Sequence, residues 1–325
     1  MNGSVTAMVL RRLALLPLIL LAVTAGTFLL AEISPFDPVD AYVGAETQVN
    51  PERRAEIAAA WGFDQPLPER FGHWLWNLVH GDLGNSVVAG GQPVAGEIAS
   101  RAASSLVLIG GALLLVLIGG LAFGVLAAAL RGTFVDWAIR GLSYFSAAAP
   151  SFWIGLLVLF VFSIELGWLP AGGTSDPRAA GGSDIDAAYL VLPMAVLALT
   201  QFAWFTLFVR NTLLEVLRDD HVQFARALGL HELRVLVRHA LPCALIPFVT
   251  LAGVNLAELI GGTILVESIF GWPGLGLLAL DAARAEDIPM IVGITLAAAV
   301  LVVLGNLLAD VAYRVLDPRV REATA

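Results

Sequence analysis

Lysine is absent from this sequence: all 18 basic residues among its 325 residues are arginine. The phosphate-binding loop G-x-x-x-x-G-K-[ST] uses its lysine to reach the nucleotide phosphates, and Schiff-base enzymes use a lysine amine as nucleophile. The chain therefore has neither a standard ATPase site nor Schiff-base chemistry. Cysteine is also scarce, because Cys243 is the only one, and this excludes an internal disulfide framework and a multi-thiolate metal cluster.

Charged residues make up only 14% of the chain, whereas 58% of its residues are hydrophobic and the mean hydropathy is +0.83. A soluble domain carries about 25% charged and roughly 45–50% apolar residues, so we expect the apolar excess to contact membrane lipid. The net charge of −9 argues against nucleic-acid binding. The five histidines show no metal-ligand spacing and no nucleophile elbow is present, so we predict no catalytic residue, metal site or bound cofactor.

Long runs without charge divide the chain into membrane-spanning segments. These runs cover residues 13–31, 102–130, 141–164, 187–209, 240–266 (interrupted by Glu258) and 288–309. Each approaches or exceeds the ~20 apolar residues that a membrane helix needs. Because lipid offers no hydrogen-bond partners, runs this long must satisfy their backbone N–H and C=O groups by forming helices. We predict an all-α polytopic membrane protein with about six transmembrane helices. The first run also resembles a signal peptide, but no clear cleavage site precedes Glu32, and a retained helix is favoured.

Arginine placement predicts the orientation. If the spans alternate, one side carries Arg11, Arg12, Arg131, Arg140, Arg210, Arg218, Arg226, Arg234, Arg238, Arg314, Arg319 and Arg321. The short loops of the other side carry only Arg178 and Arg284. Because positive charge concentrates on the cytoplasmic side, we expect a multi-pass protein of the cell inner membrane with both termini cytoplasmic. The predicted segments are a cytoplasmic N-terminus (1–9), the first transmembrane helix (10–31), an extracytoplasmic loop (32–101), a transmembrane core (102–313) that includes the cytoplasmic loop 210–240, and a cytoplasmic tail (314–325).

The long outer loop is predicted to contain interfacial helices, one at residues 51–61 and one at 71–79. The second places Phe71, Trp74, Leu75 and Leu78 on one face. Tryptophan favours the membrane–water interface, so this helix is expected to lie along the outer membrane surface. His73 and His80 lie seven residues apart, and two interfacial histidines are favoured over a metal pair.

The cytoplasmic loop 210–240 contains two short amphipathic patterns. Val222, Ala225 and Leu228 recur at helical spacing with Phe224 beside them, and Leu233, Leu236 and Val237 share a second face. Gly229 lies between the patterns, where helices often end in a left-handed residue that only glycine adopts easily. We predict a helix, a sharp turn and a second helix with an exposed apolar face. Such a face either rests on the membrane surface or fits a partner's groove.

This loop resembles the signature of ABC-importer permeases, E-A-A-x-x-x-G-x9-I-x-L-P. The residues that match or replace its fixed positions are Gln223, Phe224, Ala225, Gly229, His239, Leu241 and Pro242. Gln-Phe replaces the leading Glu-Ala, and histidine replaces the isoleucine, which resembles the dipeptide, oligopeptide and nickel branch. Further resemblances are Leu10-Arg-Arg-Leu, Gly62-Phe-Asp-Gln-Pro-Leu-Pro, Gly81-Asp-Leu-Gly-Asn-Ser, Pro150-Ser-Phe-Trp-Ile-Gly, Gly167-Trp-Leu-Pro-Ala-Gly-Gly, Val266-Glu-Ser-Ile-Phe-Gly-Trp-Pro-Gly-Leu-Gly and Leu316-Asp-Pro-Arg.

The resemblance implies a transport subunit with several partners. These are a second homologous permease, two ATP-binding subunits that use the ATP, and an extracytoplasmic substrate-binding protein, in addition to membrane lipid. The implied ATPase-coupling residues are Gln223, Phe224, Ala225, Ala227, Leu228, Gly229, Leu241 and Pro242. The alternative for this segment is an amphipathic helix on the membrane surface.

Two further groups of residues are candidates for the transport route. Asn255 and Glu258 interrupt the fifth span and are predicted to line the translocation path, because intramembrane ionisable groups usually face a cavity or a partner. The alternative is a helix–helix hydrogen bond or a contact with the partner permease. Glu267, Trp272, Pro273 and Gly274 are predicted to form an outer gate, and the alternative is an ordinary turn capped by an interfacial tryptophan. Cys243 is expected to be a buried apolar residue.

The function predicted from the sequence is a permease subunit of a binding-protein-dependent, ATP-driven importer. Peptides are the expected substrate, and nickel or a metal chelate is the alternative. A stand-alone secondary transporter or channel would favour paired repeats and a relay of ionisable groups, and the sequence shows one strongly placed acid and no relay. A membrane enzyme is disfavoured because no nucleophile or metal cluster is recognisable.

Overall fold

The computed structural model describes residues 3–33, 51–52, 55–56, 65–86, 89–175 and 185–316. Regular structure in these ranges is helical, apart from one isolated antiparallel bridge between Asn85 and Pro93. The helices are α1 (Gly3–Glu32), α2 (Leu67–Val79), α3 (Val94–Ala129), α4 (Phe134–Ala148), α5 (Ser151–Leu159), α6 (Ala187–Val216), α7 (Asp220–Ala227), α8 (Glu232–Val235), α9 (Leu241–Phe270), α10 (Leu275–Arg284) and α11 (Ile288–Leu316). A π-helical segment continues α5 over Phe160–Glu165, and another joins α8 to α9 over Leu236–Ala240.

The membrane-spanning helices agree with the predicted fold class. Four described stretches are long and apolar enough to cross a membrane: Met8–Leu30, Val94–Ala129, Ala187–Val216 and Ile288–Leu308. Two bent helix pairs raise the number to as many as six, one formed by α4 and α5 and the other by the end of α9 and α10. The first pair bends by 111°. The bend falls at Ala149, which adopts an extended conformation because the following Pro150 disfavours helical geometry there.

Helix α3 begins at Val94, upstream of the charge-free run that starts at residue 102. Its first turns contain Glu97 and Arg101, whose side chains form an i,i+4 ion pair with Nε and Oε1 2.7 Å apart. The 36 residues of α3 span about 54 Å at 1.5 Å per residue, well beyond the ~30 Å of the hydrocarbon core. The helix therefore continues outside the membrane, where charged side chains are tolerated, and the charge-free run marks only its apolar part.

The chain forms two compact units. The first comprises residues 106–272 with both chain ends (1–9 and 304–325), and the second comprises residues 10–105 and 273–303. In the first unit α6 is the central helix and packs against α4 and α9. Helix α3 also approaches α6 closely, because Gly120 lies against Phe205, and Gly124 lies against Val209. Small residues at four-residue spacing permit this approach.

The second unit is held together by its own apolar cluster and by a buried polar contact. Val94 and Ile98 of α3 pack with Met290 and other residues of α10 and α11. The hydroxyl of Ser86 donates to Oδ2 of Asp287 at 2.6 Å, and both residues are fully buried. Oδ1 of Asp287 accepts the backbone N–H of Met290 at 3.1 Å, so the carboxylate also caps the start of α11. This contact gives the Gly81-Asp-Leu-Gly-Asn-Ser motif a structural role.

Helix α2 forms as the sequence predicts, but its apolar face contacts protein. Phe71 and Trp74 pack against Phe28 of α1, with ring centroids 5.3 Å from Phe28 in both cases. Trp76 and Val79 are the exposed apolar residues of α2. The hydrophobic periodicity shows which face of α2 is apolar without showing what covers it, and the position of α2 along the outer membrane surface stays a prediction. Of the helix predicted at 51–61, only residues 51–52 and 55–56 lie inside the described ranges, and they are helical.

The two histidines of this region have separate partners. Nδ1 of His73 lies 3.0 Å from Oε1 of Gln65, and Nδ1 of His80 lies 2.8 Å from the carbonyl oxygen of Trp76. Among the described residues, no group of three or more His, Cys, Asp or Glu side chains is placed to hold a metal ion.

Candidate functional site

Helix α7 is seated on the first unit through one face only. Val222 and Ala225 are buried and pack in a cluster with Leu213 of α6, Val235 of α8 and Ala240. The sequence pattern predicts Val222 and Ala225 with Leu228 on one exposed face, and this prediction is wrong for the first two. The face of α7 that carries Val222 and Ala225 covers the ends of α6 and α9. The local hydrophobic periodicity does not indicate this contact, because it shows only which face is apolar.

The apolar side chains on the outside of the segment 220–240 remain open to solvent. Phe224 is 66% exposed, Leu228 65%, Leu233 62% and Val237 52%. We refer to these four residues as the coupling surface, after the role that the resemblance of the loop implies. Exposed large apolar residues concentrated on a short helical segment with a fixed backbone are typical of a protein-interaction site. Ala227 and Gln223 are also exposed, although the side-chain amide of Gln223 is held by its own chain.

The turn after α7 has the geometry of a Schellman motif. Gly229 adopts a left-handed φ of 78°, its N–H donates to the carbonyl of Arg226 at 2.9 Å, and the N–H of Leu230 donates to the carbonyl of Ala225 at 3.4 Å. These two bonds satisfy carbonyls that the helix end would leave without partners. Nothing lies within 4 Å of the position that a Cβ would occupy at Gly229. The requirement for glycine is therefore conformational, as predicted from the sequence.

Two polar side chains fasten α7 to its neighbours. The Arg226 guanidinium pairs with both carboxylate oxygens of Glu232, at 2.9 and 3.1 Å, and donates to the carbonyl oxygen of Leu217 at 3.1 Å. Gln223 donates to the same carbonyl at 2.8 Å. Leu217 follows α6, where helical carbonyls lack intrahelical partners, so these bonds join the end of α6 to α7 and α8. The Arg226–Glu232 pair was not predicted from the sequence, because the intervening turn breaks the helical spacing that would indicate it.

Helix α9 continues from α8 without a break in the helical backbone. The π-helical segment ends where the N–H of Leu241 donates to the carbonyl of Leu236, and Pro242, which lacks an N–H, occupies the start of α9. Cys243 is exposed, and its thiol lies 3.9 Å from Nε2 of His221 in α7. The prediction that Cys243 is buried is therefore wrong: an apolar stretch does not show which of its residues lies on the covered side.

A buried ion-pair network fixes the end of α6 that leads into this segment. Asp136 of α4 is almost fully buried, and its oxygens accept from Nε and a terminal nitrogen of Arg210 at 2.7 and 3.0 Å. The N–H of Gly132 donates to Oδ2 at 3.0 Å, and Nε of Arg140 lies 3.3 Å from Oδ1. The network joins α4 to α6. No sequence spacing indicates a pair separated by 74 residues.

The two residues predicted to line the path stand differently in the structure. Asn255 is buried, and its side-chain amide donates to the carbonyl of Leu251 in its own helix at 3.0 Å. The side chain of Glu258 lies outside the described residues. The role of both residues in the path remains a prediction.

The residues predicted to form a gate divide between the two units. In the first unit, Glu267 and Trp272 are fully buried, and the N–H of Trp272 donates to the carbonyl of Glu267 at 2.9 Å. Gly271 ends α9 in a left-handed conformation with φ of 57°. The complete burial of Trp272 contradicts the alternative of an interfacial tryptophan, because an interfacial ring keeps one edge exposed. In the second unit, Pro273 and the buried Gly274 precede α10.

Comparison with known proteins identifies the family. Residues 120–322 match the profile of the binding-protein-dependent transport system inner membrane component, and residues 5–109 match that of the N-terminal part of such membrane components. The oligopeptide transport system permease protein AppB of Bacillus subtilis is 36% identical, with 97% of this chain and 99% of AppB covered. The dipeptide transport system permease protein DppB of Escherichia coli is 36% identical, with 96% of this chain and 98% of DppB covered.

A solved structure of the MetNI methionine ABC transporter shares the fold. The similarity has a TM-score of 0.54 at 17% sequence identity, and it covers 68% of this chain and 96% of the solved chain. Together with the two profiles, which match most of the sequence, these similarities confirm the family that the loop signature indicates. The chain belongs to the binding-protein-dependent transport system inner membrane components, the permease family of ABC importers.

Proposed function

We propose that this chain is the permease subunit of a peptide importer and that its coupling surface docks on an ATP-binding partner. Its family consists of multi-pass inner-membrane permeases that lack an ATPase site of their own and work with ATPase and substrate-binding components. The docking assignment rests on the exposure of the four apolar side chains of the coupling surface.

The coupling surface has the properties of a docking element. Its four apolar side chains face solvent, while Val222 and Ala225 on the other face of α7 hold the helix against the first unit. Full burial of one large apolar side chain contributes about 1.5–3 kcal/mol, so covering Phe224 and Leu228 in a partner's groove would stabilise a complex substantially. The Schellman turn and the Arg226 contacts keep the backbone rigid, so movement of a docked partner would be transmitted to α6 and α9.

The arginine distribution supports a cytoplasmic position for the coupling surface and for both termini, with the long loop 32–101 outside. This is the side on which ATP is available to a partner. Docking of two ATP-binding subunits requires two permeases, so the proposed assembly includes a second, homologous permease. The substrate-binding protein would then meet the assembly on the opposite side.

The route for substrate is proposed to run past α9. Asn255 and Glu258 lie on this helix, as does Glu267 near its far end, and Trp272 follows shortly after the helix ends. The burial of Glu267 and Trp272 suits a tightly packed gate element. Pro273 and Gly274 follow at the turn into α10. Peptides are the proposed substrate because AppB and DppB are named for oligopeptide and dipeptide transport.

Co-purification of the assembly tests the docking assignment. Phe224→Asp places a charge on the coupling surface and is expected to release the ATP-binding subunits while the second permease remains bound. Phe224→Leu keeps an apolar side chain at the same position and is the matched control, expected to retain them. Full retention of the ATP-binding subunits by Phe224→Asp would contradict the assignment.

Uptake by the reconstituted assembly tests the substrate. Vesicles that contain the complete complex and its binding protein are expected to accumulate labelled di- or oligopeptides only when ATP is supplied. ATP-dependent uptake of nickel or a nickel chelate without peptide uptake would show that the substrate is wrong. Uptake by the isolated chain without ATP would overturn the importer itself.

A further inference from the structure

A cavity opens where the ends of α3 and α6 meet the coupling segment. Its volume is about 470 Å³, which lies within the range of ligand pockets. Leu214, Leu217 and Leu236 line it with apolar side chains, and Arg131, Arg218 and Arg226 line it with positively charged ones. All of these residues belong to the first unit. Apolar side chains next to cationic ones suit an amphiphilic anion.

The three arginines that line the cavity differ in whether they form ion pairs. Arg226 is neutralised by its two bonds to Glu232, the acid among the residues that line the cavity. Arg131 and Arg218 are exposed, and neither forms an ion pair or side-chain hydrogen bond with another residue in the described part of the chain. The cavity therefore keeps two unpaired positive charges. A phosphate group between them would complement this charge, because arginine matches phosphate oxygens with a planar set of donors.

The level of the cavity relative to the bilayer follows from α3. Arg131 is the first charged residue after the charge-free run 102–130, so it lies where the apolar part of this span ends. Just beyond it, Phe134 and Trp137 are exposed and contact each other with ring centroids 5.9 Å apart. Exposed aromatic rings at the end of a span are typical of the headgroup region. The cavity thus lies at the depth of lipid phosphates.

We propose that this cavity binds the headgroup of an anionic phospholipid, with Arg131 and Arg218 holding the phosphate and the leucine walls covering the first carbons of an acyl chain. Basic pockets between transmembrane helices on the cytoplasmic side bind anionic lipid headgroups in this way. Leu233, one of the four residues of the coupling surface, also lines the cavity together with Gln223 and Arg226. The bound lipid would therefore border the docked ATP-binding subunit. Lipid binding at this cavity does not depend on peptide being the substrate.

Lipid retention by the purified complex tests the proposal. The complex is reconstituted in mixed phosphatidylcholine and phosphatidylglycerol, extracted in detergent, and examined by native mass spectrometry for retained lipid. The wild-type complex is expected to retain phosphatidylglycerol preferentially. Each arginine near a membrane surface contributes roughly a fivefold preference for anionic lipid. Arg131→Gln and Arg218→Gln should each reduce retention about fivefold, and the double variant on the order of 25-fold.

A matched control distinguishes binding at this cavity from general attraction of anionic lipid to exposed arginines. Arg234→Gln removes an exposed arginine of α8 that is predicted to lie on the same side of the membrane and does not line the cavity, and it should leave retention unchanged. An unchanged preference for phosphatidylglycerol in the double variant would overturn the proposal. If inorganic phosphate displaced the lipid as effectively as added phosphatidylglycerol does, the cavity would be an anion site without lipid specificity. That result would also overturn the proposal. Loss of the ATP-binding subunits from the double variant with lipid retention intact would assign the cavity to the ATPase instead.

Discussion

Replacement of Asp136 by asparagine is expected to destabilise the first unit strongly. The carboxylate is almost fully buried and is the only acid that pairs with Arg210 among the described residues. Asparagine keeps the shape but removes the charge, which leaves the Arg210 guanidinium, 12% exposed, without a counter-ion. Breaking a buried pair in this way costs about 3–5 kcal/mol.

The geometry predicts an order among the variants of this network. Arg210→Gln leaves Asp136 with Arg140 and with the N–H of Gly132, so its cost should fall below that of Asp136→Asn. Arg140 is 37% exposed, and Arg140→Gln should cost less than about 1 kcal/mol, as exposed ion pairs do. The double variant of Asp136 and Arg210 should cost less than the sum of the single variants, because each single change leaves the other charge uncompensated.

Thermal unfolding of the detergent-purified complex measures these differences. One kcal/mol shifts the Tm by roughly 2–4 °C in a domain of 150–250 residues, so Asp136→Asn should lower the Tm by on the order of 10 °C. Arg140→Gln should shift it by only a few degrees. The reasoning would be refuted if Arg210→Gln were more damaging than Asp136→Asn, or if the effects of the Asp136 and Arg210 variants were simply additive.

Three single positions lead to further predictions. Gly229→Val should reduce uptake when the variant is present in the membrane at the normal level, because a left-handed L-residue costs about 1–2 kcal/mol and a β-branched one more. Gly229→Asn should retain most uptake, and equal uptake by the two variants would contradict the role of the turn. Ser86→Ala should destabilise the second unit by about 1–3 kcal/mol because Asp287 loses a buried donor, while the exposed Ser100→Ala serves as control; equal Tm values would refute this. Glu258→Gln should lower peptide uptake if the charge contributes to the path, and unchanged kinetics would remove Glu258 from it.

The sequence predicted the features that depend on local pattern. Charge-free runs located the spans, because an unpaired charge is costly in lipid. Gly229 was identifiable, because only glycine adopts a left-handed conformation easily. The exposure of Phe224 and Leu228 also agrees with the exposed apolar face that the loop pattern predicts. These features depend on residues that are close together in the chain, so one amino-acid sequence is sufficient to predict them.

The features that the sequence did not predict depend on packing between distant segments. Val222 and Ala225 share the apolar pattern of α7, but α6 and α9 cover them and leave Phe224 exposed. Trp272 follows a glycine turn that would suit an interfacial ring, yet it is buried in the core of the first unit. The Asp136–Arg210 pair joins helices far apart in sequence. In each case the deciding contact belongs to another helix, and hydrophobic periodicity has no information about that helix.

Site-specific cross-linking at the coupling surface tests the central assignment most directly. Because Cys243 is the only cysteine, Cys243→Ser provides a background for single-cysteine variants at Phe224 and, as control, at Val79 of α2, which is also highly exposed. A thiol-reactive cross-linker applied to the complete complex in membranes is predicted to join position 224, and not position 79, to an ATP-binding subunit. Cross-linking of that subunit to position 79, or its absence at position 224 in a complex that transports, would contradict the account.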